Sequence, residues 1–196
     1  MQIIRNIICL IALIVISPLL FFSALLIILE DGLPIFFTQE RIGLNKKAFT
    51  MYKMRTMKKK APQLATHEVK PNFLLATGNL IRALKLDEFP QLLNVVLGHL
   101  NLVGPRPSLA VQTLLIRERE SRYIFTIKPG ITGLAQILGY DMSDPKKLSE
   151  VDMIYMKNKT MSLDFLILLG TFFTNVRNIV SIRIGVPFNQ NKSNDV

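Results

Sequence analysis

An uninterrupted apolar block near the N-terminus sets the first constraint on this chain. Residues 6–29, from Asn6 to Leu29, contain no Asp, Glu, Lys or Arg. A signal peptide has an apolar core of about 7–15 residues and a small-residue cleavage site. This block is longer and no Ala-x-Ala pattern follows it, so cleavage is not expected. As a straight helix it would reach roughly 36 Å, enough to cross a hydrocarbon core of about 30 Å. Ser17-Pro18 falls at its middle. Proline has no N–H and its ring collides with the carbonyl four residues back, here Ile14, so a kink is expected there. Charge bears on the same question. Arg5 precedes the block, and residues 41–60, rich in Lys and Arg and free of Asp and Glu, follow it. The positive-inside rule asks both flanks to stay cytoplasmic. A helix bent at Ser17-Pro18, entering and leaving on one side, meets that demand. A kinked spanning helix is the alternative, since proline is tolerated in such helices. The residues alone leave both open.

The 196 residues suffice for one modest domain besides this block. A net charge of +10 favours anionic partners: nucleic acid, acidic lipid or phosphorylated substrates. No recognisable nucleic-acid module is present and the basic stretch is poor in aromatics, which argues against nucleic acid. The lone Cys9 excludes an intrachain disulfide and a cysteine zinc site; His67 and His99 are far apart, with no H-x-x-x-H spacing.

Downstream, the pattern predicts a mainly α chain with a few short strands. Leu33 to Thr38 reads as extended, and Ala48 to Thr56 as a strand from the alternation of Phe49 and Met51 with polar residues. Lys58 to Pro71 reads as a loop. Helices are expected over Phe73 to Leu86, with Thr77 as a cap, over Asp87 to Gly98, and over Pro107 to Arg122. Pro129-Gly130 and Thr132-Gly133 mark turns. Asp144-Pro145 is a cap with proline at the first helical position, opening a helix to about Asn158. A final apolar helix is expected from Ser162 to about Ile184, either interfacial, with its arginines at the head groups, or buried.

Three clusters carry chemistry. Asp87-Glu88 opens a predicted helix, where unpaired N–H groups keep a carboxylate ionised and attract anions. An ionised Asp can attack phosphorus and split one transfer into two steps. A neighbouring Glu can help hold Mg2+, which takes oxygen ligands and shares them with substrate phosphates. Capping alone would also account for the pair. Arg82 lies five residues earlier, and Gly104-Pro105-Arg106-Pro107 fixes the backbone around one guanidinium suited to phosphate. In Lys128-Pro129-Gly130-Ile131-Thr132-Gly133-Leu134-Ala135-Gln136, glycines allow close approach to a ligand and Lys128 is a charge partner; no Gly-Lys-Ser/Thr follows, so it is not a P-loop. Arg55, in the basic segment, is a candidate phosphate contact or part of a solvated face.

In this order, Ser17-Pro18, Phe37-Thr38-Gln39-Glu40-Arg41-Ile42-Gly43, Tyr52-Lys53-Met54-Arg55-Thr56-Met57, Leu86-Asp87-Glu88-Phe89-Pro90-Gln91-Leu92, Val103-Gly104-Pro105-Arg106-Pro107 and the 129–136 block resemble the small monotopic phosphoglycosyl transferases, a bacterial sugar transferase family. The resemblance covers nearly the whole chain. It implies a re-entrant membrane helix broken at Ser17-Pro18 (residues 1–31), a cytosolic catalytic domain with interfacial amphipathic helices (32–188) and a flexible tail (189–196). It implies Asp87 as nucleophile and Glu88 as Mg2+ ligand, with Asp87 a possible second one. Arg82 and Arg106 match family arginines near the phosphates, and Arg55 stands where a basic residue is usual. Lys128, Gly130, Thr132, Gln136 and Tyr140 complete the expected substrate-binding set. The implied reaction moves a sugar phosphate from a UDP-sugar to undecaprenyl phosphate and releases UMP, through a covalent phosphosugar on Asp87. The implied setting is the bacterial inner membrane, site facing the cytoplasm, with downstream glycosyltransferases as partners. Two positions depart from the family: His99 stands where an acid is usual, and Leu138-Gly139-Tyr140 where Asn-Gly-Arg is frequent. These leave an enzyme-dead homologue as one alternative; a non-catalytic membrane-anchored scaffold, whose basic face holds nucleic acid or acidic lipid, is the other.

Overall fold

The computed structural model describes residues 2–61 and 73–189. Most of the loop expected over 58–71, and all of the expected tail beyond Asn189, lie outside the described residues. The chain divides into two compact units, residues 1–40 with 50–98 and residues 41–49 with 99–196. The structure is mostly helical with few short strands and an N-terminal apolar helix.

In the first unit, helix α1 (Gln2–Asp31) carries Pro18 in its interior. Pro18 supplies no N–H to the Ile14 carbonyl, and the Ser17 hydroxyl donates to that same oxygen at 2.7 Å. Strand β1 (Phe36–Ile42) pairs with β2 (Ala48–Met54), close to the expected strand. Helix α2 (Ala76–Ala83) is shorter than the expected 73–86, and Thr77 lies inside it rather than capping it. The cap comes from α1: the Glu30 carboxylate accepts from Ala76 N at 2.7 Å, Thr77 N at 3.0 Å and Thr77 Oγ1 at 2.6 Å. The core of this unit is Ile27, Met54, Leu75, Ile81 and Leu86, flanked by Ile16, Leu20, Ala24, Ile35 and Phe89.

The helix expected over 87–98 is divided. Lys85 turns the chain with φ of 55°, Leu86–Glu88 form one 3-10 turn, and α3 runs only over Gln91–Val96. Pro90 leaves the Leu86 carbonyl without its i+4 donor, so Phe89 N takes it at 3.3 Å in a tighter turn.

In the second unit, β3 (Asn101–Val103) and β4 (Gly130–Thr132) pair in parallel, Asn101 against Gly130 and Val103 against Thr132. A strand thus stands where two turns were expected. Helix α4 (Thr113–Ser121) starts later than Pro107, because residues 107–109 are drawn out along Ile42, whose N–H donates to Ser108 O. A short α5 (Leu134–Ile137) follows. Helix α6 (Pro145–Asn158) has Asp144 as its cap, accepting from Lys147 N, as expected. The single final helix is two: α7 (Met161–Gly170), capped by Thr160 rather than Ser162, and α8 (Thr174–Ile184). Arg177, on α8, serves the end of α7, donating from Nε to Gly170 O at 2.7 Å. Val103, Leu115, Leu134, Leu138, Val151, Tyr155, Ile167 and Val180 form the core; burying each such aliphatic side chain contributes roughly 1.5–3 kcal/mol.

The Thr77 and Ala76 bonds hold the Glu30 carboxyl below the usual carboxylate range, the Thr77 hydroxyl contributing most. A depressed carboxyl stabilises the fold above its unfolded pKa and loses that contribution as pH falls. Glu30→Ala is therefore expected to cost about 1 kcal/mol at neutral pH, the usual worth of a helix cap. Melting of wild type and variant across pH checks this: the gap should close in acid.

Candidate active site

The 3-10 turn carrying Asp87 and Glu88 is held by residues from β2 and α2. Lys53, on β2, places Nζ 2.9 Å from Glu88 Oε1. Its strand is braced by buried Asn94 of α3, whose side-chain amide acts as a further strand: Nδ2 donates to Thr50 O at 2.7 Å and Oδ1 accepts from Tyr52 N at 3.1 Å. Arg82, in the last turn of α2, donates from Nε to Thr56 Oγ1 at 2.9 Å. The Thr56 carbonyl meanwhile accepts from Leu75 N at 3.0 Å. A side chain at Gly78 would put Cβ 2.4 Å from that carbonyl, so only glycine lets α2 lie this close and bring Arg82 to the dyad.

The charges in this cluster interlock. Burial pushes the Asp87 carboxyl above its ordinary range and Glu88 adds to the rise, while Lys53 and Arg82 oppose it. Burial lowers Arg82, against the pull of Asp87 and Glu88. A helix-start site was expected to favour the ionised aspartate; here the dyad precedes the α-helix on its own turn, and loss of solvent outweighs the neighbouring cations.

Arg55 sits elsewhere. Only 6% exposed, it pairs through Nη1 with Asp31 Oδ2 at 3.0 Å and donates from Nη2 to Gly32 O. It clasps the end of α1 and is spent on the fold. Lys53 is the residue of that block that reaches the dyad. Sequence reasoning passed over Lys53 and Thr56, because which side a strand residue faces depends on its partner, and the partner here is an asparagine from a distant helix.

The second unit brings together the two other motifs. Parallel pairing of β3 and β4 lays Gly104 against Gly130 so closely that a Cβ on Gly130 would fall 2.1 Å from Gly104 N. Arg106 is half-exposed on the segment that follows, and Lys128 is half-buried, its carbonyl beside Gly104. The remaining expected contacts serve the interior. Thr132 is buried with Oγ1 2.8 Å from Thr171 Oγ1. Gln136 donates to Ile131 O at 3.2 Å. Tyr140 packs on the core and donates its hydroxyl to Pro187 O at 3.0 Å. His99, at a position of departure, lies with its ring centroid 5.6 Å from that of Phe49.

Asp87 and Glu88 suit a magnesium ion by donor type. Mg2+ usually keeps several waters and takes one or two carboxylates together with substrate phosphates. Among the described residues no group of three or more His, Cys, Asp or Glu forms a metal cage. A pair of hard oxygen donors fits an ion that arrives with a diphosphate.

Comparison with known proteins gives a consistent set. The chain is 44% identical over 158 residues to the sugar transferase EpsL of Bacillus subtilis (strain 168), covering 79% of this chain and 76% of that protein. It is 35% identical over 165 residues to the UDP-N-acetylgalactosamine-undecaprenyl-phosphate N-acetylgalactosaminephosphotransferase of Aeromonas hydrophila, covering 81% of this chain and 39% of that one. It is 33% identical to the UDP-glucose:undecaprenyl-phosphate glucose-1-phosphate transferase of Escherichia coli (strain K12), covering 85% of this chain and 38% of that one. The chain thus spans well under half of the two larger relatives. The bacterial sugar transferase family profile matches residues 2–178, and with dyad, arginine loop and glycine-rich strand all falling inside that match, the chain belongs to the bacterial sugar transferase family.

Proposed function

We propose that this protein transfers a sugar 1-phosphate from a UDP-sugar to undecaprenyl phosphate at the cytoplasmic face of the bacterial inner membrane, feeding downstream glycosyltransferases. The observation that carries the reading is the Asp87–Glu88 pair, ringed by Lys53 and Arg82, in a chain of this family. Asp87 Oδ attacks the sugar-bearing phosphorus of the donor; the bond to the uridine-linked phosphate breaks and UMP leaves. A phosphate oxygen of undecaprenyl phosphate then attacks the same phosphorus, freeing Asp87 and yielding the lipid diphosphate sugar. Lys53 holds Glu88 in place, and Arg82 and Lys53 together favour the ionised Asp87. Glu88, with Asp87, would hold Mg2+, which supplies charge neutralisation of the diphosphate when bound.

We read residues 1–31 as a re-entrant membrane element and residues 32–188 as the catalytic part. Helix α1 is long and apolar enough to cross a membrane. Both of its ends are nonetheless tied to the same unit. Asn6 Nδ2 donates to Val96 O of α3 at 3.3 Å, while Glu30 caps α2 and Asp31 accepts from Lys59 N at 3.1 Å. A spanning helix would put Asn6 across some 30 Å of hydrocarbon from Glu30 and carry α3 with it. We read the break at Ser17-Pro18, inside one continuous helix, from Pro18, which supplies no N–H to the Ile14 carbonyl, and from the Ser17 hydroxyl that serves that carbonyl instead. Exposed Met161, Phe165, Phe172, Phe173, Ile179 and Ile182 support an interfacial setting for α7 and α8.

Asp87→Asn is expected to lower UMP release from UDP-glucose or UDP-N-acetylgalactosamine by about 10³-fold or more; near-normal turnover would reject Asp87 as nucleophile. Lys53→Met removes a charge that opposes the rise in the Asp87 pKa. Because the nucleophile must be ionised, the acid limb of kcat/KM should move to higher pH in this variant; a pH–rate profile with an unmoved limb contradicts the role given to Lys53. A cysteine at Gln2 should react with a membrane-impermeant maleimide only in opened cells. Labelling of intact cells after outer-membrane permeabilisation would show that α1 crosses the bilayer.

A further inference from the structure

Strand β2 carries Lys53 and belongs to a two-stranded sheet among the described residues, so β1 occupies one of its edges. At Thr50 and Tyr52 its backbone meets a side chain in place of a third strand. Asn94 Nδ2 donates to Thr50 O at 2.7 Å, and Asn94 Oδ1 accepts from Tyr52 N at 3.1 Å. Alternate residues of a strand turn their N–H and C=O groups to the same edge, so one amide can serve both. A primary amide offers a donor and an acceptor in one plane, as a peptide bond does. Asn94 is fully buried, at 0% exposure, in the otherwise apolar run Leu92-Leu93-Asn94-Val95-Val96. A polar group in that setting must be paired, and β2 supplies both partners.

Asn94 and Glu88 belong to one hydrogen-bonded stretch. Phe89 N bonds to Leu86 O at 3.3 Å, Leu92 N to Phe89 O at 2.9 Å and Leu93 N to Pro90 O at 3.1 Å. This stretch grips β2 twice. Asn94 takes the backbone on either side of Met51, and Glu88 Oε1 takes the Lys53 ammonium at 2.9 Å. The backbone grip ends at Tyr52, the residue next to Lys53. Lysine has a flexible four-carbon stem and a compact, strongly hydrated charge, so it does not aim itself. Holding so long a side chain in one geometry costs entropy that offsets much of an ion pair's worth; a fixed backbone beneath it reduces that cost. All of these residues lie in the first unit. We propose that Asn94 is a positioning residue for the dyad: standing in for a third strand, it sets β2 against the dyad turn and keeps Lys53 on Glu88. The inference rests on the transferase reading above, in which Lys53 holds Glu88 in place for the chemical step.

The test is a double-mutant cycle on the full chain in lipid nanodiscs, with undecaprenyl phosphate and either UDP-glucose or UDP-N-acetylgalactosamine, following UMP release. Asn94→Ala removes both bonds and adds no charge. Thr50 is exposed and Tyr52 half-buried, so water can serve the vacated edge. The substitution should lower kcat about 10- to 100-fold, the scale of a misplaced catalytic contact, and leave the donor KM within about twofold. In a Lys53→Met background it should change kcat by no more than about twofold, because the group it positions is gone. Equal losses in both backgrounds, no loss in either, or a loss confined to KM would overturn the proposal. Should Asn94→Ala fail to fold, Asn94→Ser, whose hydroxyl is too short to span both partners, enters the same cycle with the same criteria. A readout independent of turnover follows Lys53 itself. Under trace acylation by an N-hydroxysuccinimide ester, read by peptide mass, Lys53 should react about tenfold faster in Asn94→Ala than in wild type, while exposed Lys147 reacts at an unchanged rate. An unchanged Lys53 rate would also overturn the proposal. A wild type that releases no UMP from either donor would count against the transferase reading instead, leaving the acylation of Lys53 to decide the anchoring.

Discussion

Buried backbone oxygens and N–H groups must find partners, and at critical places in this chain a side chain supplies them. An unpaired amide or carbonyl away from water costs as much as a lost hydrogen bond or more. Proline makes the demand acute by removing donors. Pro18 deprives the Ile14 carbonyl of its N–H, and Ser17 fills the gap within its own helix. The first N–H groups of α2 have no carbonyls before them, and Glu30 reaches across from α1. Between Pro105 and Ser108, where no regular ladder continues, Arg41 and Arg119 stand in as donors. Each substitution of side chain for backbone also ties two elements together, so satisfaction of polar groups and placement of the functional residues are one process.

The features legible in the sequence are those whose cause is local. Asp144-Pro145 encodes cap and first helical residue in two letters, and α6 runs from Pro145 to Asn158 as read. Alternation around Phe49 and Met51 located β2 to within two residues. Asp87-Glu88 stood out as a pair, and Lys53 and Arg82 now explain how it is held. The misplaced boundaries have non-local causes. Nothing near Ser162 announces that α7 will end at Gly170, whose carbonyl Arg177 serves. The β3–β4 pair joins three-residue segments far apart in sequence, too short for any periodicity, and its signature is instead the glycines that permit close contact. Thr132 and Gln136, expected in the substrate-binding set, bond within the second unit to Thr171 and to the Ile131 carbonyl.

Arginine distribution carries a related lesson. By composition, Arg41, Arg55, Arg82, Arg106 and Arg119 are equivalent members of a basic chain. The structure divides them by burial and partner. Arg55 and Arg41 bind carbonyls at the end of α1 and in the Arg106 loop. Arg82 lies beside the carboxylate pair, and only Arg106 among the loop residues keeps exposure. The count of 24 Lys and Arg therefore overstates the cations available to lipid or substrate, because several of them are paired with carboxylates or enclosed.

The Arg119–Asp152 pair shows why such enclosure is retained. A buried ion pair is weak evidence for stability, since the cost of removing both charges from water can equal or exceed their attraction. Burial indeed pushes the Asp152 carboxyl up, against the pull of Arg119. Two apolar side chains of similar volume would pack there at comparable or lower cost. They would leave the Arg106 carbonyl without a donor, in a segment whose prolines prevent it from rearranging into a helix or strand. The charge of Arg119 is thus tolerable because Asp152 answers it, and its geometry is useful because a third acceptor lies on the far edge of the same fork. What the pair secures is a donor for the Arg106 carbonyl, a contribution that no count of buried area or of salt bridges would register.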